Sequence, residues 1–276
     1  MSDAGPLQAI NLMLVGVGKM GFALLEGWLK AGLQPSATTL IDPHPAHGVV
    51  TLCAERAISL NPPLARGVAP DVLVLAIKPQ MLDEVAELAA QIGPNTLVIS
   101  ILAGKTIADV AARFAHARAF VRAMPNTPAA VGRGITGFYA NDAVSPAQKA
   151  LAETLLAATG DVVALAQESE VDAVTAVSGS GPAYVFLLAE CLAEAGVALG
   201  LERRVAEQLA RATVEGAGEL MKQSPAISPA QLRINVTSPG GTTAAALDVL
   251  MGQQGLQPLL SEAVRAAHQR ARALSG

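Results

Sequence analysis

An α/β architecture is what this sequence predicts: an open, mostly parallel sheet with helices wound on both faces, followed by an all-helical second part. Three observations predict it. Short, continuously apolar runs alternate with helical patterns as far as about residue 165, and such runs suit strands buried on both faces. Several of these runs end in Gly or Pro, the punctuation found where a parallel sheet opens at its carboxyl edge. Beyond Glu168 the alternation stops, and apolar helical faces broken by Gly, Pro and Ser take over. A domain boundary near 165 follows, dividing the chain into 1–165 and 166–276.

The first apolar run, at 10–15, ends abruptly in Gly16-Val17-Gly18-Lys19-Met20-Gly21 and is followed by helix formers. A strand, a tight turn and a helix arranged in this way hold a dinucleotide pyrophosphate. Gly16 makes the turn, Gly18 lets backbone N–H groups reach the phosphates, and Gly21 lets helix and strand pack closely. The anion then sits at the positive end of the helix. This makes 1–165 a Rossmann-like dinucleotide-binding domain.

The rest of that domain follows in order. Residues 22–31 read as helix, stopped by Gly32. Residues 38–41 form a second strand with Asp42 at its tip, close to where such folds place an acidic residue on the adenosine ribose. A plain Asp42-Pro43 turn explains the same residues. If Asp42 does face the ribose, a 2′-phosphate is repelled and NADH gains over NADPH. A buried strand at 71–77 ends in Lys78-Pro79, a helix is expected at 81–91, and a strand at 96–102 ends in Ala103-Gly104. Then come a helix at 106–115, a strand at 119–123, the rigid loop Met124-Pro125-Asn126-Thr127-Pro128, a strand at 132–140, a helix from Ser145 to about 159 and a last strand at 161–165.

The helical part reads as segments at about 169–177, 181–198, 202–223, 228–236, 241–252 and 257–274. One segment starts at Ser178-Gly179-Ser180-Gly181-Pro182, where Pro182 suits a first helical turn. Another follows Val236-Thr237-Ser238-Pro239-Gly240-Gly241-Thr242-Thr243. Two adjacent glycines between hydroxyl residues at a helix start offer oriented donors for a small carboxylate or phosphate. An ordinary capped helix with a Gly-Gly turn accounts for them equally.

Composition narrows the function classes. With 51% hydrophobic, 15% charged and 3% aromatic residues, the core is built from Ala, Leu and Val, and the apolar excess suggests surface buried between subunits. A net charge of -4 gives no support for nucleic acid or an anionic membrane surface as a partner. Cys53 and Cys191 lack metal spacing and suit a reducing cytoplasm. His44, His47, His116 and His268 form no ligand pattern. No signal peptide is legible, and the longest uncharged run, 173–189, is broken by Ser-Gly-Ser-Gly-Pro, so no membrane span is expected.

Five segments together resemble one family over nearly the whole chain. They are Gly-Val-Gly-Lys-Met-Gly at 16–21, Ala-Ile-Lys-Pro at 76–79, Arg-Ala-Met-Pro-Asn-Thr-Pro at 122–128, Ser-Gly-Ser-Gly-Pro-Ala-Tyr at 178–184 and Val-Thr-Ser-Pro-Gly-Gly-Thr-Thr at 236–243. The chain is similar to the pyrroline-5-carboxylate reductases. The resemblance implies reduction of 1-pyrroline-5-carboxylate to L-proline by NADPH or NADH, the last step of proline synthesis. It implies that 16–21 hold the pyrophosphate, while Ala76, Ile77, Lys78 and Pro79, with Leu102, Ala103 and Gly104, frame the nicotinamide and its ribose. Asn61 matches an Asn that contacts the coenzyme, and Asn235 matches one that reaches it from a neighbouring subunit. Ser238, Gly240, Gly241, Thr242 and Thr243 would take the substrate carboxylate and ring nitrogen. The second domain is expected to interlock with a partner's in a homodimer or larger homo-oligomer.

Two departures stand out. Where relatives often carry Glu or His-Pro, this chain has Ser224-Pro-Ala-Ile-Ser-Pro229, and where they often have Asn or Ser followed by Arg, it has Asp42-Pro43-His44. A protonated cyclic imine needs positioning more than acid catalysis. The expected arrangement therefore has Thr243 on the ring nitrogen, and no metal. Lys78 as a general acid is the rival within this chemistry. Other readings are a related imine or hydroxyacid reductase and a dinucleotide sensor without catalysis.

Overall fold

The structure, a computed structural model, describes residues 7–63 and 69–275. It divides into two compact units: one runs to Gly179 and takes back the chain end from His268, and the other spans Ser180–Ala267. The sequence places a boundary near 165, and the sheet does end at Ala164. The first unit nevertheless continues to Gly179, because the next helix is tied to the sheet by buried charges.

That unit is built on an eight-stranded sheet in the order β3-β2-β1-β4-β5-β6-β7-β8. The strands are β1 (Leu12–Val15), β2 (Thr38–Ile41), β3 (Ser59–Leu60), β4 (Val72–Leu75), β5 (Leu97–Ser100), β6 (Ala119–Met124), β7 (Gly134–Ala140) and β8 (Gly160–Ala164). All neighbours run parallel except β6 and β7. The first six strands therefore have the doubly wound Rossmann order, with its reversal between β1 and β4. Every residue of β1, β4, β5 and β6 is buried, as the unbroken apolar runs require.

Both faces carry a core. On one, Leu24, Leu25 and Trp28 of α1 (Lys19–Lys30) pack with Leu155 and Leu156 of α4 (Pro146–Ala157). The Trp28 indole donates to the Leu155 carbonyl at 2.7 Å, which satisfies the one polar atom the ring brings inside. On the other, Leu82, Leu88, Val110 and Phe114 cover β4 and β5, with Val110 supplied by α3 (Ile107–Arg113).

Three elements differ from expectation. The stretch at 81–91 is not an α-helix but two 3₁₀ segments, Pro79–Met81 and Ala86–Gln91. Its apolar residues recur at 82, 85 and 88, and a spacing of three lines up on a helix with three residues per turn. The helix α2 (His47–Arg56) and the short β3 were not legible. Only Val49 and Cys53 of α2 are buried, and no side chain caps its start. The break expected at Ser178–Pro182 is present, with Ser180 as the N-cap of the next helix and Pro182 in its first turn. A π turn, Thr175–Gly179, links α5 (Glu170–Val174) to α6 (Gly181–Ala198). The stretch Glu170–Ala198 is thus long and apolar enough, by length and composition, to cross a membrane, and little of it is buried.

The second unit contains α6, α7 (Arg203–Gln223), α8 (Pro229–Asn235), α9 (Thr242–Leu250) and most of α10 (Leu256–Ser275). Gly196 lets α6 approach α7, since a Cβ there would lie 3.2 Å from that of Ala206. The exposed pair Arg203–Glu194, at 2.6 Å, joins them at the rim. Phe186, Leu187, Leu188, Leu192 and Leu209 remain exposed on this unit.

Candidate active site

The carboxyl ends of β1, β2 and β4 come together around the first glycine turn. The Gly16 amide donates to the Ile41 carbonyl at 2.8 Å, and the Ala76 amide to that of Val15 at 2.8 Å. Gly16 has φ +87, and a Cβ on it would lie 2.7 Å from the Ala76 carbonyl oxygen. A Cβ on Gly21 would overlap the Gly16 carbonyl. These two glycines are demanded by the turn and by strand–helix packing. Gly18 is different: its φ is -69, and a Cβ on it would meet nothing within 4 Å. No side chain caps the helix that starts at Lys19, so the first-turn amides of α1 lack both intrahelical and side-chain acceptors. A pyrophosphate fits this open, donor-rich place.

Asp42 stands beside it. Its Oδ2 accepts from the Val17 amide at 2.7 Å and its Oδ1 from the His44 amide at 2.9 Å. The second bond is the Asx-type turn that Asp42-Pro43 suggests; the first is a link to the glycine turn that spacing alone did not reveal. Asn61, at φ +48, brackets Asp42. Its Oδ1 accepts from the Asp42 amide at 2.9 Å, and its Nδ2 donates to the Asp42 carbonyl at 2.7 Å. Asn tolerates that left-handed backbone better than most residues.

A cleft of about 370 Å³ opens at this edge, lined by Val15, Ile41, Pro43, Asn61, Ile77 and Met81, with Glu84 and Glu87 on its wall. Ala76 and Ile77 are half-buried, and the exposed Lys78 closes a turn through its carbonyl, which accepts from the Met81 amide at 2.9 Å. Leu102 is buried. Gly104, at φ +71, lies against Leu274 of α10, whose Cβ would be 2.6 Å from a Cβ at that position. The shaping of the chain by Lys78-Pro79 is thus visible, whereas Ala103-Gly104 also serves as a seat for the chain end.

A buried ion cluster was missed by the sequence reading. Arg122 of β6 pairs with Asp172 of α5 at 2.5 Å and approaches Glu168 at 3.6 Å, and Glu168 accepts from the Ile107 amide at 2.6 Å. The signal available was a lone Arg inside the buried strand 119–124. The thiols are unremarkable: burial pushes Cys53 up, and Cys191 is unpaired on the surface. Among the described residues no cluster of metal-binding side chains occurs.

In the second unit, the loop before α9 turns through Gly240 at φ +68, and the Gly241 amide donates to the Ser238 carbonyl at 3.0 Å. Gly241 is the N-cap of α9 and no side chain caps that helix, so its first-turn amides are available donors. The hydroxyls of Ser238, Thr242 and Thr243 have no hydrogen-bond partner among the described residues. The ordinary side-chain cap is therefore absent from this loop. Asn235, at the end of α8, is exposed and accepts from Gln231 at 2.8 Å.

A doubly wound sheet with this glycine turn, followed by a helical unit, has the architecture of the Rossmann-class dinucleotide-binding proteins. A family model described as NADP oxidoreductase, coenzyme F420-dependent, matches residues 11–104, and one described as pyrroline-5-carboxylate reductase dimerisation matches 168–274. The chain is 41% identical to the pyrroline-5-carboxylate reductase of Pseudomonas aeruginosa, over 96% of this chain and 97% of that one. Among solved structures, that of the Coxiella burnetii pyrroline-5-carboxylate reductase superposes with a TM-score of 0.89 at 36% identity, over 98% and 100% of the two chains. The Plasmodium falciparum pyrroline carboxylate reductase, solved with NADP bound, gives 0.78 at 30% identity over 98% and 100%. This chain belongs to the pyrroline-5-carboxylate reductase family.

Proposed function

We propose that the protein reduces 1-pyrroline-5-carboxylate to L-proline with NADPH or NADH as reductant. Likeness to reductases of that name along 96% of the chain carries the reading. The uncapped Ser238–Thr243 loop supports it, as a built place for a small carboxylate.

When bound, the reduced nicotinamide supplies a hydride. The first-turn amides of α1, opened by Gly18, hold the pyrophosphate, and Asp42 and Asn61 shape the ribose end. Ala76, Ile77, Lys78 and Pro79, with Leu102, Ala103 and Gly104, border the nicotinamide half. The Ser238 hydroxyl and the backbone at Gly240–Thr242 hold the substrate carboxylate, and the Thr243 hydroxyl holds the ring nitrogen. The cyclic imine arrives protonated from water, so the residues position it and no side chain has to deliver a proton. The exposure of Lys78 supports leaving it out of proton transfer. Asn235 reaches the coenzyme of a neighbouring subunit.

The division of labour follows the chain: 1–165 binds dinucleotide, and 166–276 binds substrate and dimerises. The apolar residues exposed on α6 and α7 form the face that a second copy covers, which also accounts for the apolar stretch at 170–198 without a bilayer. The enzyme works in the cytoplasm as a homodimer or a larger homo-oligomer. Purified chain, shown by sedimentation to be assembled, should oxidise a reduced coenzyme only when pyrroline-5-carboxylate is added, with matching formation of proline. Coenzyme left unoxidised by folded, assembled protein contradicts the reading.

A further inference from the structure

We infer that Asp42 makes this coenzyme site select NADH over NADPH. The inference rests on the dinucleotide reading above and deepens it. Three observations carry it. First, the Asp42 carboxylate sits at the end of β2, fixed to the glycine turn by the Val17 amide at 2.7 Å, and its backbone is clamped on both sides by the Asn61 amide. These bonds fix the direction in which the carboxylate points. Second, it remains half-exposed with two oxygens that each accept a single backbone hydrogen bond among the described residues. A carboxylate has about four acceptor sites, so two stay available for the two hydroxyls of a ribose. Third, the described residues that line the adjoining cleft include Glu84 and Glu87, and no Lys or Arg is among them.

A ribose diol donates hydrogen bonds and suits such a carboxylate. A 2′-phosphate is an acceptor-only group with a charge of about -1.5 to -2 near neutral pH. Set against Asp42 and the two glutamates, it meets like charge and finds no cationic partner among the described residues of the lining. His44, two residues beyond Asp42, is exposed, and its backbone amide is already committed to the Asp42 carboxylate.

Binding of NADH and of NADPH to the full-length protein, followed by nicotinamide fluorescence at pH 8, tests the inference without turnover. NADH should bind more tightly by about tenfold or more, the ratio that ~1.4 kcal/mol of repulsion produces. Added salt screens surface charge, so the ratio should narrow as ionic strength rises. The variant Asp42→Ser should shrink it, and Glu84→Gln with Glu87→Gln, both on the exposed wall, should shrink it with the turn intact. NADPH binding as tightly as NADH to the wild type overturns the inference while leaving the reductase reading in place. A preference for NADH that neither salt nor the glutamate variants nor Asp42→Ser reduces also overturns it. Binding of neither coenzyme overturns the dinucleotide reading and this inference together.

Discussion

The Arg122 guanidinium on β6 lies 2.5 Å from the Asp172 carboxylate on α5, and only 3% and 11% of the two side chains are exposed. This pair, with Glu168 reaching the start of α3, joins the sheet to the first helix beyond it. It is why the first compact unit outlasts the last strand. Removing Asp172 leaves the buried Arg122 guanidinium with the more distant Glu168, at 3.6 Å, as its counter-charge, a loss of up to about 3 to 5 kcal/mol. Asp172→Ala should lower the urea unfolding free energy by that amount. The double variant with Arg122→Met should recover part of it, because the charge left behind is removed as well.

The three glycines of the first turn should separate by mechanism. Gly18→Ala meets open space and changes stability by no more than about 1 kcal/mol, the difference between Gly and Ala at an N-cap. It should nevertheless weaken coenzyme binding, because the added methyl stands where the phosphates approach. Gly16→Ala combines a left-handed backbone, costing roughly 1 to 2 kcal/mol, with a collision against Ala76. Gly21→Ala drives a methyl into the Gly16 carbonyl. Both should unfold at clearly lower urea than Gly18→Ala.

Asp109 predicts an acid-side dependence of stability. Burial raises its pKa, but the Thr106 hydroxyl and amide together with Lys105 and Arg113 outweigh burial and hold it below the usual carboxylate value. A carboxylate depressed on folding adds stability that is complete above its unfolded pKa, about 4, and is lost as pH falls through the lower folded value. The gap in unfolding free energy between wild type and Asp109→Asn should therefore be constant at neutral pH and close below about pH 4.

Thr243→Ala removes the hydroxyl assigned to the ring nitrogen. The expected loss is about 1 to 3 kcal/mol in kcat/KM, the consequence of an unpaired buried polar group in the bound state. Coenzyme binding should be unchanged. A kcat/KM equal to wild type would take Thr243 out of the mechanism.

Much of the architecture is legible in the sequence because buried parallel strands and glycine turns leave local marks. The runs at 38–41 and 119–123 and the punctuation at Gly16 and Pro79 are of this kind. α2 leaves almost none, since Val49 and Cys53 alone face inward. The 3₁₀ stretch after Pro79 looks helical in composition and reveals itself only in the spacing of Leu82, Val85 and Leu88. At the site, the glycine turn, Asp42 and Asn61 are each visible as residues, but the bonds that lock Asp42 to Val17 and Asn61 are contacts across the sheet edge that spacing does not encode. The Arg122–Asp172 pair is hidden for the same reason.

The most direct test of the reductase reading is to follow the transferred hydrogen. Protein supplied with pyrroline-5-carboxylate and NADH deuterated at the transferring position of C4 should yield proline with a single deuterium at C5, read by mass spectrometry and NMR. Proline without deuterium, or no proline from folded and assembled protein, would contradict it.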